Sequence, residues 1–246
     1  MLVDMTPGRK KSAPTKAGDR GKPSPRAVKR APIVHEEVYA RLRRAIIDGQ
    51  LEPGRALSVR SLAAQFSVSA MPAREAIRRL VALGALEMTA TRRIMIARMT
   101  PDKVNQLTEA RTLLEPRLAV RAFEMTEGRP RARKSLISRL AAIDERHDAS
   151  ITQGDVAAYS KANSEFHFTL YEAARAPVLL GVAESLWLQT GPFMRMVISE
   201  IGTSLLVDQH KEAIDALRDD DPARLETAIR LDIIEGMERI GEAAAS

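Results

Sequence analysis

Four features that are scarce or missing narrow the class of protein before any motif is considered. The 246 residues include no cysteine, which excludes disulfide frameworks, thiolate zinc sites and cysteine nucleophiles. Aromatic residues make up 4% of the chain, and no apolar run approaches the roughly 20 residues that a membrane-spanning helix needs. The N-terminal charges are not followed by the long apolar segment of a secretory signal. These absences predict a cytoplasmic protein with no membrane partner.

The residues that are abundant favour helices. Hydrophobic residues make up 45% of the chain, and its length gives room for two ordinary domains. Alanine, leucine and arginine, which are strong helix formers, are frequent. The composition therefore predicts a mainly α protein with enough apolar surface to build real cores.

The net charge of +6 is unevenly distributed along the chain. Residues 1–30 carry +7, residues 31–99 carry +5 and residues 100–246 carry −6. This asymmetry indicates that the front half meets a polyanion, whereas a purely solubilising role explains the total charge but not its distribution. Residues 1–30 lack periodic apolar residues and are predicted to be a disordered basic tail. The tail either adds non-specific phosphate contacts or only aids solubility.

Residues 31–99 have the pattern of a winged helix-turn-helix. Apolar residues recur at helical spacing in three segments, and two short strand-like runs follow them. Ser69 is placed to cap the third helix and Pro72 falls in its first turn. The predicted elements are helices over about 34–48, 59–66 and 70–83, then strands over 85–88 and 94–97.

The third helix of this pattern is the predicted DNA-reading element. In a helix-turn-helix, the second of the two helices enters the major groove with its N-terminal side chains against base edges. Any single arginine here is as readily a solvated surface residue, but their clustering around the motif favours DNA contact. The candidates are Ser69, Ala70, Met71 and Arg74 for bases, Arg60 for phosphate or guanine, Arg78 and Arg79 for the backbone, and Arg92 and Arg93 at the wing tip for the minor groove.

The stretch from Leu62 to Leu80, LAAQFSVSAMPAREAIRRL, resembles the signature of GntR-family repressors, and the likeness covers about residues 33–98. The resemblance implies that Arg60 and Arg74 contact the operator and that Glu75 helps to hold the helices in place. Ala70 stands where the family usually has a base-contacting arginine. Loss of one bidentate contact removes about 1–3 kcal/mol of discrimination, so the operator is expected to differ from the usual half-site of the family.

Residues 100–246 are predicted to form an all-helical antiparallel bundle, with the domain boundary at Met99 to Pro101. Helical segments are predicted near 102–125, 130–152, 155–174, 177–199, 203–219 and 222–243. The stretches EARTLLEP at 109–116 and NSEFH at 163–167, followed by His210, resemble the FadR-type (FCD) effector domain. That resemblance implies a domain that dimerises and binds a small molecule.

The bundle carries a candidate metal site. Asn163 and His167 are four residues apart and share one helix face. The family resemblance places Asn163, His167, His210 and Asp232 around the bundle cavity, where many members carry one aspartate and three histidines that bind a divalent metal. Two imidazoles and a carboxylate suit Zn, Ni or Mn, with the Asn163 carbonyl as a weak fourth ligand. Alternatively, His167 and His210 are hydrogen-bonded core histidines of a metal-free pocket.

A carboxylate effector, as in many relatives, needs a cation to meet it. Arg111 and Arg195 are candidates together with His167 and His210, although Arg111 is also placed to pair with Glu115 at i+4. Phe166, Leu170, Trp187 and Met194 either line the pocket or belong to the core. His35 and His147 are interpreted as surface residues.

These features together predict a transcription regulator. The expected protein is a homodimer that binds an inverted-repeat operator and responds to a small molecule, and it is not an enzyme. A helical enzyme that uses His167, His210 and Asp232 is the first alternative, but the chain has no HExxH, phosphate loop or nucleophile elbow. A sequence-indifferent architectural DNA-binding protein is the second, and it leaves the acidic bundle unexplained.

Overall fold

The computed structural model describes residues 30–54, 56–89, 93–201 and 209–245. Nearly all of the predicted basic tail and the wing-tip residue Arg92 lie outside these ranges, so the predictions for them stay predictions. The described residues form helices and a small two-stranded sheet, which confirms the mainly α class. No helix among them is both long and apolar enough to span a bilayer.

The N-terminal part is a winged helix-turn-helix. Its elements are α1 (Arg30–Ile47), α2 (Val59–Gln65), α3 (Ala70–Ala82), β1 (Leu86–Met88) and β2 (Ile94–Ile96). The two strands pair antiparallel with Leu86 opposite Ile96, and Leu57 makes a further bridge to Ile94. Leu42, Ile46, Leu62, Ile77 and Leu80 are buried in one core, as the helical periodicity predicts.

Local hydrogen bonds define the start of α2, and the backbone geometry of Ser67 defines its turn into α3. The Ser58 hydroxyl accepts the backbone N–H of Ser61 at 2.9 Å, and the Ser61 hydroxyl accepts the N–H of Ser58 at 3.0 Å, which forms a capping box at the start of α2. Ser67 adopts the left-handed region with φ of 55° and turns the chain toward α3. Ser69 occupies the N-cap position of α3, but among the described contacts its hydroxyl makes no capping hydrogen bond.

The C-terminal part is a bundle of helices packed mainly in antiparallel pairs. Its elements are α4 (Pro101–Thr126), α5 (Pro130–Gln153), α6 (Val156–Ala173), α7 (Pro177–Ile201), α8 (Gln209–Arg218) and α9 (Pro222–Ala245). The closest pairings are α4 with α9, α5 with α6 and α8 with α9. The helix expected near residue 203 is described from Gln209, because residues 202–208 lie outside the described ranges.

The end of α1 packs directly on the bundle. Asp48 is 4% exposed and accepts a hydrogen bond from the Ser164 hydroxyl of α6 at 2.8 Å. Arg44 contacts both Asp48 and Ser164, and the Arg43 guanidinium pairs with Glu184 on α7. Gly191 on α7 lies so close that an added Cβ would stand 2.3 Å from the carbonyl oxygen of Ile47. We call this contact region the α1–α7 junction.

Candidate DNA interface and metal-binding cavity

The first turns of α3 present a small exposed surface to solvent. Ala70, Met71 and Arg74 are all exposed, and Met71 has 69% of its surface accessible. The helix is anchored from its other side, where Ala76, Ile77 and Leu80 are buried. Such an exposed apolar side chain next to a guanidinium is suited to contact with a thymine methyl and a guanine in the major groove.

The other predicted arginines differ in whether their side chains already contact other residues of the protein. Arg60 on α2 and Arg93 directly before β2 are exposed. Arg78 donates to Glu75 on the same helix at 2.9 Å. Arg79 stacks at 3.7 Å over the Tyr39 ring and donates to Glu36 at 2.8 Å. These contacts tie α3 to α1.

A cavity of about 50 Å³ lies inside the bundle among α4 to α9. Its walls include Arg111, His147, Asn163, Trp187, His210 and Asp232. The predicted apolar residue Met194 also lines it, whereas Phe166 and Leu170 are fully buried in the surrounding core. The cavity has room for a few water molecules or a small ion with its ligands.

Three of the four predicted ligands come together beside this cavity. The Nε2 atom of His167 is 3.0 Å from Oδ2 of Asp232 and 3.4 Å from Nε2 of His210. His210 Nε2 is also 3.9 Å from Oδ1 of Asp232. We call His167, His210 and Asp232 the first cluster; their potential ligand atoms all lie within 4.8 Å of one another. Asn163 is half-buried in the wall of the same cavity.

The neighbours of His167 define which of its nitrogens faces the cluster. The Tyr171 hydroxyl donates to Oε2 of Glu115 at 2.8 Å, so its oxygen is left to accept from Nδ1–H of His167 at 3.0 Å. Because Nδ1–H is used by Tyr171, Nε2 is the nitrogen that faces Asp232 and His210: it presents a lone pair when the ring is neutral and donates to Asp232 when the ring is protonated. Burial and the adjacent Glu115 carboxylate raise the pKa of Tyr171 well above its ordinary value, which keeps this donor protonated.

Behind the first cluster, Glu115 anchors a buried polar network. Arg111 donates to Glu115 through Nε at 2.6 Å and through a terminal nitrogen at 3.3 Å, and the Trp187 ring nitrogen donates to Glu115 at 3.0 Å. Burial opposes the charge on Arg111, but the Glu115 carboxylate more than compensates and the pKa of Arg111 is raised. The pairing at i+4 is thus present, and Arg111 lines the cavity at the same time.

Electrostatics favour an ionised carboxylate in the first cluster. Burial raises the pKa of the Asp232 carboxyl, but His167, His210 and Arg111 outweigh that effect and hold it well below its ordinary value. Asp232 therefore carries a negative charge in a nearly enclosed site. An ionised carboxylate between two imidazoles is a donor set suited to a divalent transition metal.

Two residues differ in place from what the sequence indicated. Arg195 lies at the α1–α7 junction, where it donates to the carbonyl of Gly49 at 3.2 Å and is not among the residues that line the cavity. His147 is 6% exposed rather than on the surface, because it lies on the apolar face of α5 with Leu140 and Ile143. The side chain of His35 lies outside the described residues.

Sequence reasoning missed a second group of polar residues in the bundle, which consists of Asp144, His147 and His210. A signal for it was present, because Leu136, Leu140, Ile143 and His147 recur at helical spacing and Asp144 borders the same stripe. A charged residue on an apolar helix face indicates a buried polar group, which is a candidate functional residue.

A winged helix-turn-helix with an exposed recognition helix, joined to a helical bundle around a polar cavity, defines a ligand-responsive DNA-binding regulator. The model for bacterial regulatory proteins of the gntR family matches residues 34–96, and the FCD domain model matches residues 106–234. The chain therefore belongs to the GntR family of transcription regulators, in the group with an FCD domain.

Several proteins are similar to the chain over most of its length. The HTH-type transcriptional regulator McbR of Escherichia coli is 26% identical over 64% of this chain and 69% of its own. A probable D-xylose utilization operon transcriptional repressor of Paenarthrobacter nicotinovorans is 29% identical over 75% and 78%. The solved structure of E. coli McbR/YncC shares the fold, with a TM-score of 0.76 at 21% identity over 85% of this chain and 98% of that chain.

Proposed function

We propose that this regulator acts in the cytoplasm as a homodimer on an inverted-repeat operator, with residues 31–99 reading DNA and residues 100–246 dimerising and binding the effector. The observation that carries the proposal is the exposed patch of Ala70, Met71 and Arg74 on the first turns of α3. A two-fold dimer presents two such helices to matched half-sites. Ser69 belongs to the same base-reading turn. The flanking contacts are phosphate or guanine for Arg60, the DNA backbone for Arg78, and the minor groove for Arg92 and Arg93.

The test of this proposal is selection of the operator from random DNA, followed by binding measurements on the selected and scrambled sequences. Arg74→Ala is expected to weaken binding to the selected operator by about 1–3 kcal/mol and to change binding to scrambled DNA far less. Arg117→Ala, which removes an exposed arginine of α4, is the matched control for net charge. Equal losses on both DNAs would remove Arg74 from base readout, and no preference for any sequence would favour the architectural alternative.

We further propose that the first cluster, with Asn163 close by, holds a divalent ion of the class Zn, Ni or Mn. The support is the convergence of a carboxylate oxygen and two imidazole nitrogens, because a lone pair of His167 at 3.0 Å from a carboxylate is repulsive without a proton or a cation between them. The ion would supply a positive charge and open coordination positions. Tyr171 orients His167 for this role through Nδ1.

Elemental analysis of protein purified without chelator tests the ion directly. We expect about one equivalent in the unaltered protein, and a large loss in His210→Ala. Sub-stoichiometric metal after addition of Zn, Ni or Mn would leave these residues as an ordinary polar pocket.

The effector that fits this cavity is a small carboxylate. The cavity of about 50 Å³ is far smaller than the roughly 300–1,000 Å³ of pockets for drug-sized ligands. A carboxylate would complete the coordination of an ion held by His167 and His210, and Arg111 in the cavity wall would add a second positive charge. This role as a sensor, rather than catalysis, agrees with the regulator names of its relatives.

Binding at the cavity reaches the DNA-binding part through α6 and α7. Asn163 and Gly191 line the cavity. Ser164, next to Asn163 in the chain, contacts Asp48 at the α1–α7 junction, and Gly191 itself contacts Ile47 there. An effector that prefers one arrangement of this junction shifts the dimer between DNA-competent and incompetent states by its difference in affinity.

A further inference from the structure

The bundle holds a second group of metal-competent side chains on the far side of His210. Asp144 and His147 come from α5, one helical turn apart, and face His210 of α8. We call these three residues the second cluster. Their exposed fractions are 5%, 6% and 3%, and one ligand atom from each lies within 4.8 Å of the others.

Within the second cluster, Asp144 and His210 are too far apart for a hydrogen bond and nearly as far apart as two ligands of one ion. Nδ1 of His210 is 3.7 Å from Oδ1 of Asp144, beyond hydrogen-bond distance. Two ligands on a tetrahedral ion with bonds near 2.0–2.1 Å are roughly 3.4 Å apart, so a small closure suffices. Among the described residues, neither of these two atoms has a hydrogen-bond partner. A buried carboxylate oxygen in this state is costly unless a cation or a water meets it.

The rings of this cluster are held in place by aromatic packing. The His210 ring stacks on Phe166 with centroids 3.9 Å apart, and the His147 ring lies 4.2 Å from the Tyr159 ring. His147 and His210 both line the cavity, so water or a small anion has access to complete the coordination of an ion. Held rings and an open position are what a metal site needs besides its ligands.

We infer that Asp144, His147 and Nδ1 of His210 form a second divalent-cation site, distinct from the first cluster and sharing His210 with it. A neutral imidazole has one lone pair. His210 therefore serves the first cluster through Nε2, with Nδ1–H directed at Asp144, or the second cluster through Nδ1, with Nε2–H directed at Asp232. The protein then holds one ion at a time in either of two neighbouring positions, and a change of histidine tautomer accompanies the move.

This arrangement makes a specific prediction about the two carboxylates. Each is dispensable alone, because the ion moves to the other cluster, and their joint loss removes both positions. A single site at the first cluster behaves differently: Asp232 is then required, and Asp144 acts only by orienting His210, a role whose loss costs about 10–100-fold in affinity.

Titration of the full-length protein with Co²⁺, followed by visible d–d absorption, tests the inference. The background is low because the chain has no cysteine and only four histidines. The variants are Asp144→Asn, Asp232→Asn and the two together, with Asp148→Asn as matched control, since Asp148 is an exposed acid of α5 paired with Lys211. We expect each single change to lower the affinity by less than about tenfold and the double change by more than about 100-fold.

Each other outcome has a definite meaning. If Asp232→Asn alone is as damaging as the double change, the second site does not exist, while the first-cluster proposal stands. If Asp144→Asn alone abolishes binding and Asp232→Asn does not, the ion binds only at the second cluster, and both the first-cluster proposal and the exchange between the clusters are wrong. No Co²⁺ binding by the unaltered protein overturns both.

Because a double variant can misfold, His147→Gln in the Asp232→Asn background provides a second case. Helical circular dichroism is the folding check. An affinity for Co²⁺ that is unchanged from that of Asp232→Asn alone overturns the second site.

Discussion

At the scale of single residues, the Glu115 side chain connects several buried groups of the bundle. It is fully buried and accepts hydrogen bonds from Arg111, Tyr171 and Trp187. Through Tyr171 it also determines the tautomer of His167. One carboxylate thus balances a buried charge and orients a candidate metal ligand.

Glu115→Gln is expected to lower the free energy of unfolding by about 3–5 kcal/mol, because it leaves the Arg111 guanidinium buried without its counter-charge. Denaturant unfolding measures this loss. Glu124→Gln breaks the exposed pair with Arg117 on the same helix and is expected to cost no more than about 1 kcal/mol. Similar losses of unfolding free energy in the two variants would show that the buried contacts of Glu115 stabilise the protein no more than an exposed ion pair does.

The sequence predicted which residues belong to this region better than it predicted the contacts between them. Spacing and family likeness identified His167, His210, Asp232 and the Arg111–Glu115 pair. The Tyr171 contact was not predictable, because residue 171 meets residue 115 from a different helix and helix-to-helix orientation is not encoded in local periodicity. His147 was misjudged for a related reason, since a polar residue on an apolar stripe was assumed to lie outside it.

At the scale of elements, the bounds and the buried face of α3 could be predicted from the sequence, whereas its exposed first turn differs from the usual family sequence. Its bounds, its buried face and the strands after it agree with the sequence to within a few residues, because capping, periodicity and turn signals all act locally. The turn that we propose reads the bases departs from the usual family sequence at Ala70, and this departure is our reason to expect a different operator.

Ala70→Arg is therefore expected to change specificity rather than stability. A guanidinium at this exposed first-turn position restores a bidentate base contact and favours guanine at one position of each half-site by about 1–3 kcal/mol. Selection from random DNA with both proteins measures the change. An unchanged preferred half-site would show that position 70 does not face the bases in this chain, and Ala82→Arg at the exposed far end of α3 controls for the added charge.

At the scale of the whole molecule, a lone winged helix covers too little DNA for the affinity of a typical regulator. We expect residues 1–98 to be monomeric and to bind the operator poorly, and residues 100–246 to dimerise without DNA. Sedimentation of both fragments at micromolar concentration is the measurement. A monomeric C-terminal fragment would contradict the proposed assembly.

The α1–α7 junction should carry the response from one half of the molecule to the other. Ser164→Ala removes the hydroxyl that bonds Asp48 but leaves the cavity wall in place. We expect it to reduce the effect of metal or effector on operator affinity while metal content stays unchanged. Ser160→Ala, one turn earlier on α6, is the control, because its hydroxyl bonds only within its own helix among the described contacts. Equal responses in both variants would exclude Ser164 from the coupling.

The close approach of Gly191 to Ile47 has a genetic consequence. A methyl group at this position would stand 2.3 Å from a backbone oxygen, so every replacement must push α1 away from α7. A screen for constitutive mutants, whose control of transcription no longer follows the inducing compound, should therefore return substitutions at residue 191. Such alleles would lie outside both the DNA-reading surface and the metal ligands. They would be dominant if one displaced α1 is enough to stop a dimer from responding to the compound, and recessive if both must be displaced.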